Sequence, residues 1–339
     1  MTMEELSAYI TDLGEPKFRA KQIFRWLHCG VRSFEEMTDL PKTLQAKLQE
    51  DAKIATLTVF ARYLSQIDET VKYLFALDDG NIIETVAMKY HHGWSLCISS
   101  QVGCRMGCSF CQSTKGGLIR PMTAGEILDQ IIKVQEDLGI RISNLVMMGI
   151  GEPLDNLDEV LRFLKNVNDP EGINIGYRHI SLSTCGLTPG IRKLAEYEFP
   201  ITLSISLHAT TDEKRSAIMP VNKKYNISEL IRACRDYQEH TGRRISFEYA
   251  VIDGVNDGYE DAKALAKLLK GILCHVNLIP VNPIENGTYR PPSKKNILGF
   301  QDTLIKLGLN ATIRRTLGAD ISASCGQLRH QVQKGGNSI

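Results

Sequence analysis

From residue 95 to residue 316, this chain of 339 residues repeats one rhythm, a short β-rich run followed by an amphipathic helix. The extended runs fall at 95–100, 143–149, 178–184, 201–207, 244–252 and 275–280. Helical periodicity occupies 123–138, 156–167, 188–197, 227–240, 259–271 and 294–307, and a last extended piece covers 310–316. Strands joined in sequence through helices lie parallel, because a parallel pair needs a long crossover connection. Six such units are too few to close an eight-stranded barrel. The expected fold class is therefore α/β, an open or partial (β/α)6 barrel.

The chain before the barrel reads differently. Residues 3–53 are helical in pattern, with Pro16 at a helix start and Ala20, Ile23, Phe24 and Leu27 on one apolar stripe. Lys17, Lys21 and Arg25 recur every four residues on another face. That stripe is either a phosphate-contacting surface or an ordinary solvated face, and acidic residues slightly outnumber basic ones over the segment. Extended segments follow at 56–66, 70–77 and 81–90, with a hairpin signal at Asp78-Asp79-Gly80-Asn81. The expected organisation is a helical accessory domain (1–55), a β extension (56–90), a barrel core (91–331) and a disordered tail (332–339).

Bulk composition excludes several classes. A net charge of +1 marks no global nucleic-acid binder, so any RNA site must be a local patch. Nine cysteines, three of them tightly clustered, argue against a secreted disulfide framework. The acidic start has no signal-peptide pattern, and no apolar run approaches the ~20 residues of a membrane helix. A cytoplasmic protein without a membrane partner is expected.

The clustered cysteines carry the chemistry. Cys104, Cys108 and Cys111 are spaced C-x3-C-x2-C, with no fourth cysteine in reach. A cubane 4Fe–4S cluster normally takes four thiolates, so three leave one iron open to a small molecule. This spacing points to S-adenosylmethionine at the open iron. The alternative, a zinc knuckle, wants paired C-x2-C units, and no second pair exists.

In a barrel of this type the working residues gather at the C-terminal strand ends. Met147-Met148-Gly149-Ile150-Gly151-Glu152-Pro153 ends the second strand, where glycines let backbone approach a ligand and Glu152 could pair with an ammonium group. Ser183 and Thr184 end the third strand, Ser206, Leu207 and His208 the fourth, and Asn282 follows the sixth. Each alone reads equally as a turn or cap residue. Together they suit a ligand with an amino-acid end, a ribose and a purine. Cys97 lies on the first barrel strand and Cys325 in Ser324-Cys325-Gly326-Gln327-Leu328-Arg329. A lone cysteine is usually a small buried hydrophobe, but a thiolate on a loop beside a cofactor is a candidate nucleophile.

With these motifs in place, the chain resembles the RlmN/Cfr family of radical S-adenosylmethionine RNA methyl synthases. The resemblance runs from the Glu15–Gln22 helix to the Cys-Gly-Gln-Leu motif at 325. Its anchors are the 97–104 run, Gly-Glu-Pro-Leu at 151–154, Ser-Leu-His at 206–208 and Met-Pro-Val-Asn at 219–222. The resemblance implies that Cys104, Cys108 and Cys111 hold one 4Fe–4S cluster. It also implies that Gly151, Glu152, Ser183, Ser206, Leu207, His208 and Asn282 bind S-adenosylmethionine. Two molecules of it would serve each turnover: one methylates Cys325, and a second yields a deoxyadenosyl radical that activates that methyl group. The methylene radical would add to an adenine ring carbon, with Glu84 as proton acceptor and Cys97 resolving the adduct through a disulfide with Cys325.

The same resemblance implies the partners: an adenosine of 23S rRNA, an adenosine beside the tRNA anticodon, and an electron donor such as flavodoxin or ferredoxin. A monomer is expected. Two branches compete. Ser113–Leu118 and Leu317–Ile321 look like the carbon-2 branch; Met88-Lys89-Tyr90 with Gly93-Trp94 looks more like the carbon-8 branch, and Gln112 departs from the alanine common in both. The carbon-2 reading is favoured. Outside this chemistry stand a different radical enzyme, such as a glycyl-radical activator, and a non-catalytic iron–sulfur or zinc RNA-binding protein.

Overall fold

The structure is a computed structural model and describes residues 1–282, 288–321 and 323. Three helices open the chain: α1 (Met3–Asp12), α2 (Phe18–His28) and α3 (Lys42–Asp51). Thr2 and Glu5 cap α1 reciprocally, each side chain taking the other's backbone N–H. Helix α2 begins two residues after Pro16 and turns Ala20, Ile23 and Phe24 inward. There they meet Leu6, Ile10, Met37, Leu44 and Leu48 in a core of their own.

Strands β1 (Thr58–Leu64), β2 (Val71–Ala76) and β3 (Ile82–Tyr90) form an antiparallel meander. The β2–β3 turn falls at Asp78–Asn81, where Leu77 N–H donates to Asn81 O and Gly80 takes φ +79°. Strand β3 then pairs antiparallel with β4 (Gly93–Cys97), placing Val86 opposite Cys97. A hairpin the periodicity does not announce, β5 (Gln101–Gly103) with β6 (Leu118–Pro121), brackets the cysteine cluster.

The remaining strands are β7 (Ile142–Met147), β8 (Ile180–Thr184), β9 (Thr202–Ser206), β10 (Ile245–Val251), β11 (Cys274–Pro280) and β12 (Ala311–Ile313). From β4 through β7 to β12 every neighbour is parallel, so the six expected units and the last extended piece are present. The sheet has ten strands in the order β1-β2-β3-β4-β7-β8-β9-β10-β11-β12, so the 58–90 strands continue the barrel's own sheet. Its connecting helices are α4 (Ala124–Leu138), α5 (Leu157–Asn168), α6 (Thr188–Ala195), α7 (Asp212–Ile218), α8 (Ile227–Thr241), α9 (Tyr259–Leu268) and α10 (Lys294–Lys306). Helix α7 is additional to the expected set. Among the described residues, no helix is long and apolar enough to cross a membrane.

Ion pairs hold the helical unit to the barrel. Lys21 Nζ and Arg25 Nη2 both reach Glu171, at 2.8 and 2.6 Å; Arg162 meets Glu5 at 3.0 Å and Arg32 meets Glu136 at 3.3 Å. Two members of the basic stripe on α2 are thus engaged by a barrel carboxylate, while Lys17 stays exposed. Such half-exposed pairs are worth little singly, so they orient the unit more than they stabilise it.

Candidate active site

The cysteine loop is built by hydrogen bonds rather than by regular structure. Cys104 N–H donates to Gly117 O at 2.9 Å and Cys111 N–H to Cys108 O at 3.0 Å; Thr114 Oγ1 donates to Cys111 O at 3.1 Å. Gly103 takes φ +83°, and a Cβ there would run into the Gly117 carbonyl, so the hairpin beneath the loop needs glycine. Ser109 N–H donates to Ile218 O at 2.9 Å, seating the loop on the end of α7. Arg105 pairs with Asp155, and Gln101 Nε2 donates to the same carboxylate at 3.0 Å, fixing the loop to the turn after β7.

A cavity of about 270 Å³ opens beside this loop at the C-terminal strand ends. Cys104, Cys108 and Cys111 line it, together with Gly151, Glu152, Ser183, Ser206, His208 and Asn282. These residues, from five separate segments of the sequence, therefore converge on one space. Leu207 does not reach the wall: its side chain is in the main core, its N–H donates to Glu248 O at 3.0 Å and its carbonyl accepts from Arg215 Nε. Glu84 and Cys97 do not line this cavity either.

Cys97 opens on an adjoining pocket with Val86, Met88 and Tyr90; the two spaces share Met148, Ile279, Asn282 and Arg314 as common wall. Glu84 lies two residues before Val86 on β3, on the same face as Cys97's register partner. Its carboxylate is buried and pairs with buried Lys72 of β2 at 3.0 Å. Cys325 lies outside the described residues.

The glycines after β7 meet the protein before any ligand. A Cβ at Gly149 would stand 2.5 Å from Ile98 O and 2.8 Å from Ser99 N, and one at Gly151, which has φ +111°, 2.7 Å from Gln101 N. This turn presses directly on the chain leaving β4. Glu152 differs from the sequence expectation in its present partners. Its Oε1 accepts the Leu154 N–H at 3.1 Å and its Oε2 the Cys185 N–H at 2.7 Å. The carboxylate bridges the β7 and β8 ends while still bordering the cavity, and burial pushes its pKa up.

His208 is fixed in one protonation state. Its Nδ1 accepts the Ala250 N–H at 2.9 Å, so the ring proton sits on Nε2. Burial, aided by the Arg215 charge, lowers its pKa to about 3. It sits at φ +59°, against Phe110 edge-on at 5.0 Å. It is a neutral donor, not a titrating base, across physiological pH. The pKa is depressed on folding, so the associated stability is present above the ordinary value near 6.5 and is lost as pH falls toward 3. His208→Asn keeps an acceptor and tolerates the left-handed backbone. Urea unfolding at pH 6.5 and pH 5 should show the wild type losing about 1–2 kcal/mol more than this variant.

The chemistry of the donor set tests whether a metal group fits. Burial, with each thiolate repelling its neighbours, pushes Cys104 up to about 12 and Cys108 higher still. The bare protein resists forming these thiolates, and a polycationic group reverses that preference. Among the described residues, no three Cys, His, Asp or Glu side chains close on a single ion. Three thiols arranged round one cavity fit a multi-iron cluster with one thiolate per iron.

The comparisons with known proteins decide the family. Residues 98–269 match the radical SAM superfamily, and residues 1–54 the ribosomal RNA large subunit methyltransferase N-terminal domain. A probable dual-specificity RNA methyltransferase RlmN of Alkaliphilus metalliredigens is 56% identical over 98% of this chain and 94% of its own length. The chain belongs to the RlmN family of radical S-adenosylmethionine proteins. The RlmN relative of Clostridioides difficile is 52% identical over 97% of this chain and 96% of its own. A crystal structure of a radical SAM methyltransferase from Sphaerobacter thermophilus superposes with a TM-score of 0.91 at 44% identity, covering 96% of this chain and 97% of that one. Members of this family work with a 4Fe–4S cluster and S-adenosylmethionine, which agrees with the donor set.

Several wall residues escaped sequence reasoning. Arg314, which lies in no motif of the sequence analysis, borders the cofactor cavity, the Cys97 pocket and the polar barrel lumen alike, as does Met148 of the 147–153 run. Glu248, on β10, is held by Ser246 Oγ at 2.9 Å and Asn277 Nδ2 at 2.6 Å, with its pKa raised by burial. Inward-facing polar residues on consecutive parallel strands were the available signal, since a packed barrel interior is apolar.

Proposed function

We propose that this protein methylates carbon 2 of an adenosine in 23S rRNA, and of the adenosine beside the tRNA anticodon, through an S-methyl group on Cys325. The observation that carries this reading is the common wall between two spaces. One gathers the three cluster cysteines with the strand-end polar residues, and the other holds Cys97. The names of the relatives support the first branch over the carbon-8 branch.

Bound here, the cluster and S-adenosylmethionine supply a one-electron route to a carbon radical, which an electron-poor adenine carbon accepts where it resists direct methyl transfer. Cys104, Cys108 and Cys111 would hold three irons. Gly151, Glu152, Ser183, Ser206, Leu207, His208 and Asn282 would surround S-adenosylmethionine. His208 would donate through Nε2, and Leu207 would act through its backbone. Cys325 would carry the methyl group from one molecule while a second is consumed. Glu84 would take the proton from the adenine carbon. Cys97 would attack the Cys325 sulfur, cutting the tether and leaving a disulfide that a thiol reductant must reopen.

The target base must leave its stack to enter such a site, which favours loop RNA. The helical unit at 1–55 would serve as the accessory RNA-contacting domain and 91–331 as the catalytic core. Lys17, with Lys21 and Arg25 once released from Glu171, would offer phosphate contacts. We further assign a cytoplasmic monomer reduced by flavodoxin or ferredoxin.

The test is the mass of the peptide containing Cys325, from anaerobically purified holoprotein with S-adenosylmethionine. A population one methylene heavier at Cys325 is expected, and Cys325→Ala should abolish RNA methylation while retaining its iron. Cys97→Ala should instead accumulate protein covalently joined to RNA. An unmodified Cys325 under these conditions would move the assignment to another radical chemistry.

A further inference from the structure

Arg215 is the largest fully buried side chain among the described residues, and the acid on its own helix, Asp212, meets it only through Asn222. Among the described residues, no carboxylate lies within salt-bridge distance of its guanidinium. Instead Nε donates to Leu207 O at 3.0 Å, Nη2 to Cys185 O at 2.7 Å and to Ser206 O at 3.0 Å, and Nη1 to Asn222 Oδ1 at 3.0 Å. Three of those four acceptors are backbone carbonyls just at, or just past, the ends of β8 and β9. These are the segments that bring Thr184, Cys185, Ser206 and His208 to the cavity wall. A buried cation without a counter-ion is costly, and dipoles of carbonyls offset only part of that cost.

Beyond the relayed contact to Asp212, the site itself offers a second counter-charge. Helix α7, which carries Arg215, is also the seat of the cysteine loop through Ser109 and Ile218. Cys108, Cys185, Ile218 and Met219 share one buried cluster with Met106, Phe110 and Cys111 around it. A 4Fe–4S cluster on three thiolates carries one net negative charge when oxidised and two when reduced.

We infer that Arg215 is a positioning residue for this site: its fork clamps the β8 and β9 ends that face S-adenosylmethionine, and its charge balances the anionic cluster. The inference rests on reading the cavity as the cluster and S-adenosylmethionine site. A positive charge nearby stabilises the reduced cluster, which holds one electron more, and so raises the potential at which a one-electron donor can reduce it. Lysine can keep the charge but cannot reproduce the planar fork.

Two variants of the holoprotein separate the parts, read by the cluster's midpoint potential in a spectroscopic redox titration with dithionite and by equilibrium binding of S-adenosylmethionine. Arg215→Gln should bind a full cluster whose midpoint lies below that of the wild type. Arg215→Lys should keep a near-wild-type midpoint while binding S-adenosylmethionine about tenfold more weakly, the loss expected from a misplaced wall. A purely structural arginine would change stability and leave every folded variant's midpoint alone. Unshifted midpoints in both variants would therefore overturn the electrostatic role. If Arg215→Gln does not accumulate, the lysine variant decides by itself: a lowered midpoint with unchanged affinity overturns the inference. Failure of the underlying reading looks different, because the wild type itself would then take up no cluster.

Discussion

Lys72→Met should destabilise the protein by about 3–5 kcal/mol, because it removes a cation that pairs with a buried carboxylate. Lys72 and Glu84 are 0% and 2% exposed and 3.0 Å apart. Neither can turn to water when the other is removed. The measurement is urea unfolding at neutral pH, reading the midpoint at constant slope. The double variant Lys72→Met/Glu84→Gln should recover most of the loss, since the buried carboxylate charge is then gone. A single variant that unfolds like the wild type would mean that the pair is not coupled in solution. The comparison also bears on the proton-acceptor role proposed for Glu84. The double variant, folded but lacking the carboxylate, should not methylate RNA.

Gly149→Ala should cost about 1–3 kcal/mol and weaken S-adenosylmethionine binding at the same time. The added methyl would meet Ile98 O, Ile98 C and Ser99 N at 2.5, 2.7 and 2.8 Å, all backbone atoms that no rotamer change can clear. The only relief is to part the turn after β7 from the chain leaving β4. That parting breaks the Gly149 N–H bond to Ile98 O and loosens the Ile150 bond to Ser99 Oγ, each 3.0 Å. It also shifts Gly151 and Glu152, so thermal unfolding and equilibrium binding should fall together. Unchanged binding in a destabilised variant would mean that the turn does not set the cavity.

The helical unit offers a different lesson about charged stripes. On sequence, Lys17, Lys21 and Arg25 form one face, open equally to phosphate or to water. In the fold, Lys21 and Arg25 share Glu171 of the barrel and only Lys17 remains outside that arrangement. A partner for a surface lysine that lies about 150 residues away is invisible to local pattern, so the stripe's role could not be assigned from spacing.

What the sequence determined by itself is what depends on local order. Strand and helix periodicity gave the six parallel units, because side-chain direction repeats every two or every 3.6 residues whatever the tertiary context. The C-x3-C-x2-C spacing gave three thiols in one loop, because eight residues cannot hold them far apart. The rule that strand ends carry the chemistry singled out Gly151, Glu152, Ser183, Ser206, His208 and Asn282, and these line one cavity.

What only the tertiary structure decided concerns charge and contact. Asp212-Glu213-Lys214-Arg215, which the sequence analysis does not single out, opens α7, capped by Thr211 Oγ1, with Arg215 turned fully inward. Glu84, expected as a proton acceptor, is also one half of a buried pair with Lys72. Glu152 reads as a carboxylate awaiting an ammonium group and already accepts two backbone N–H bonds. The physical reason is common to all three. Whether a charge is tolerable inside a protein depends on acceptors and donors brought from distant segments, and those exist only once the sheet has closed around them.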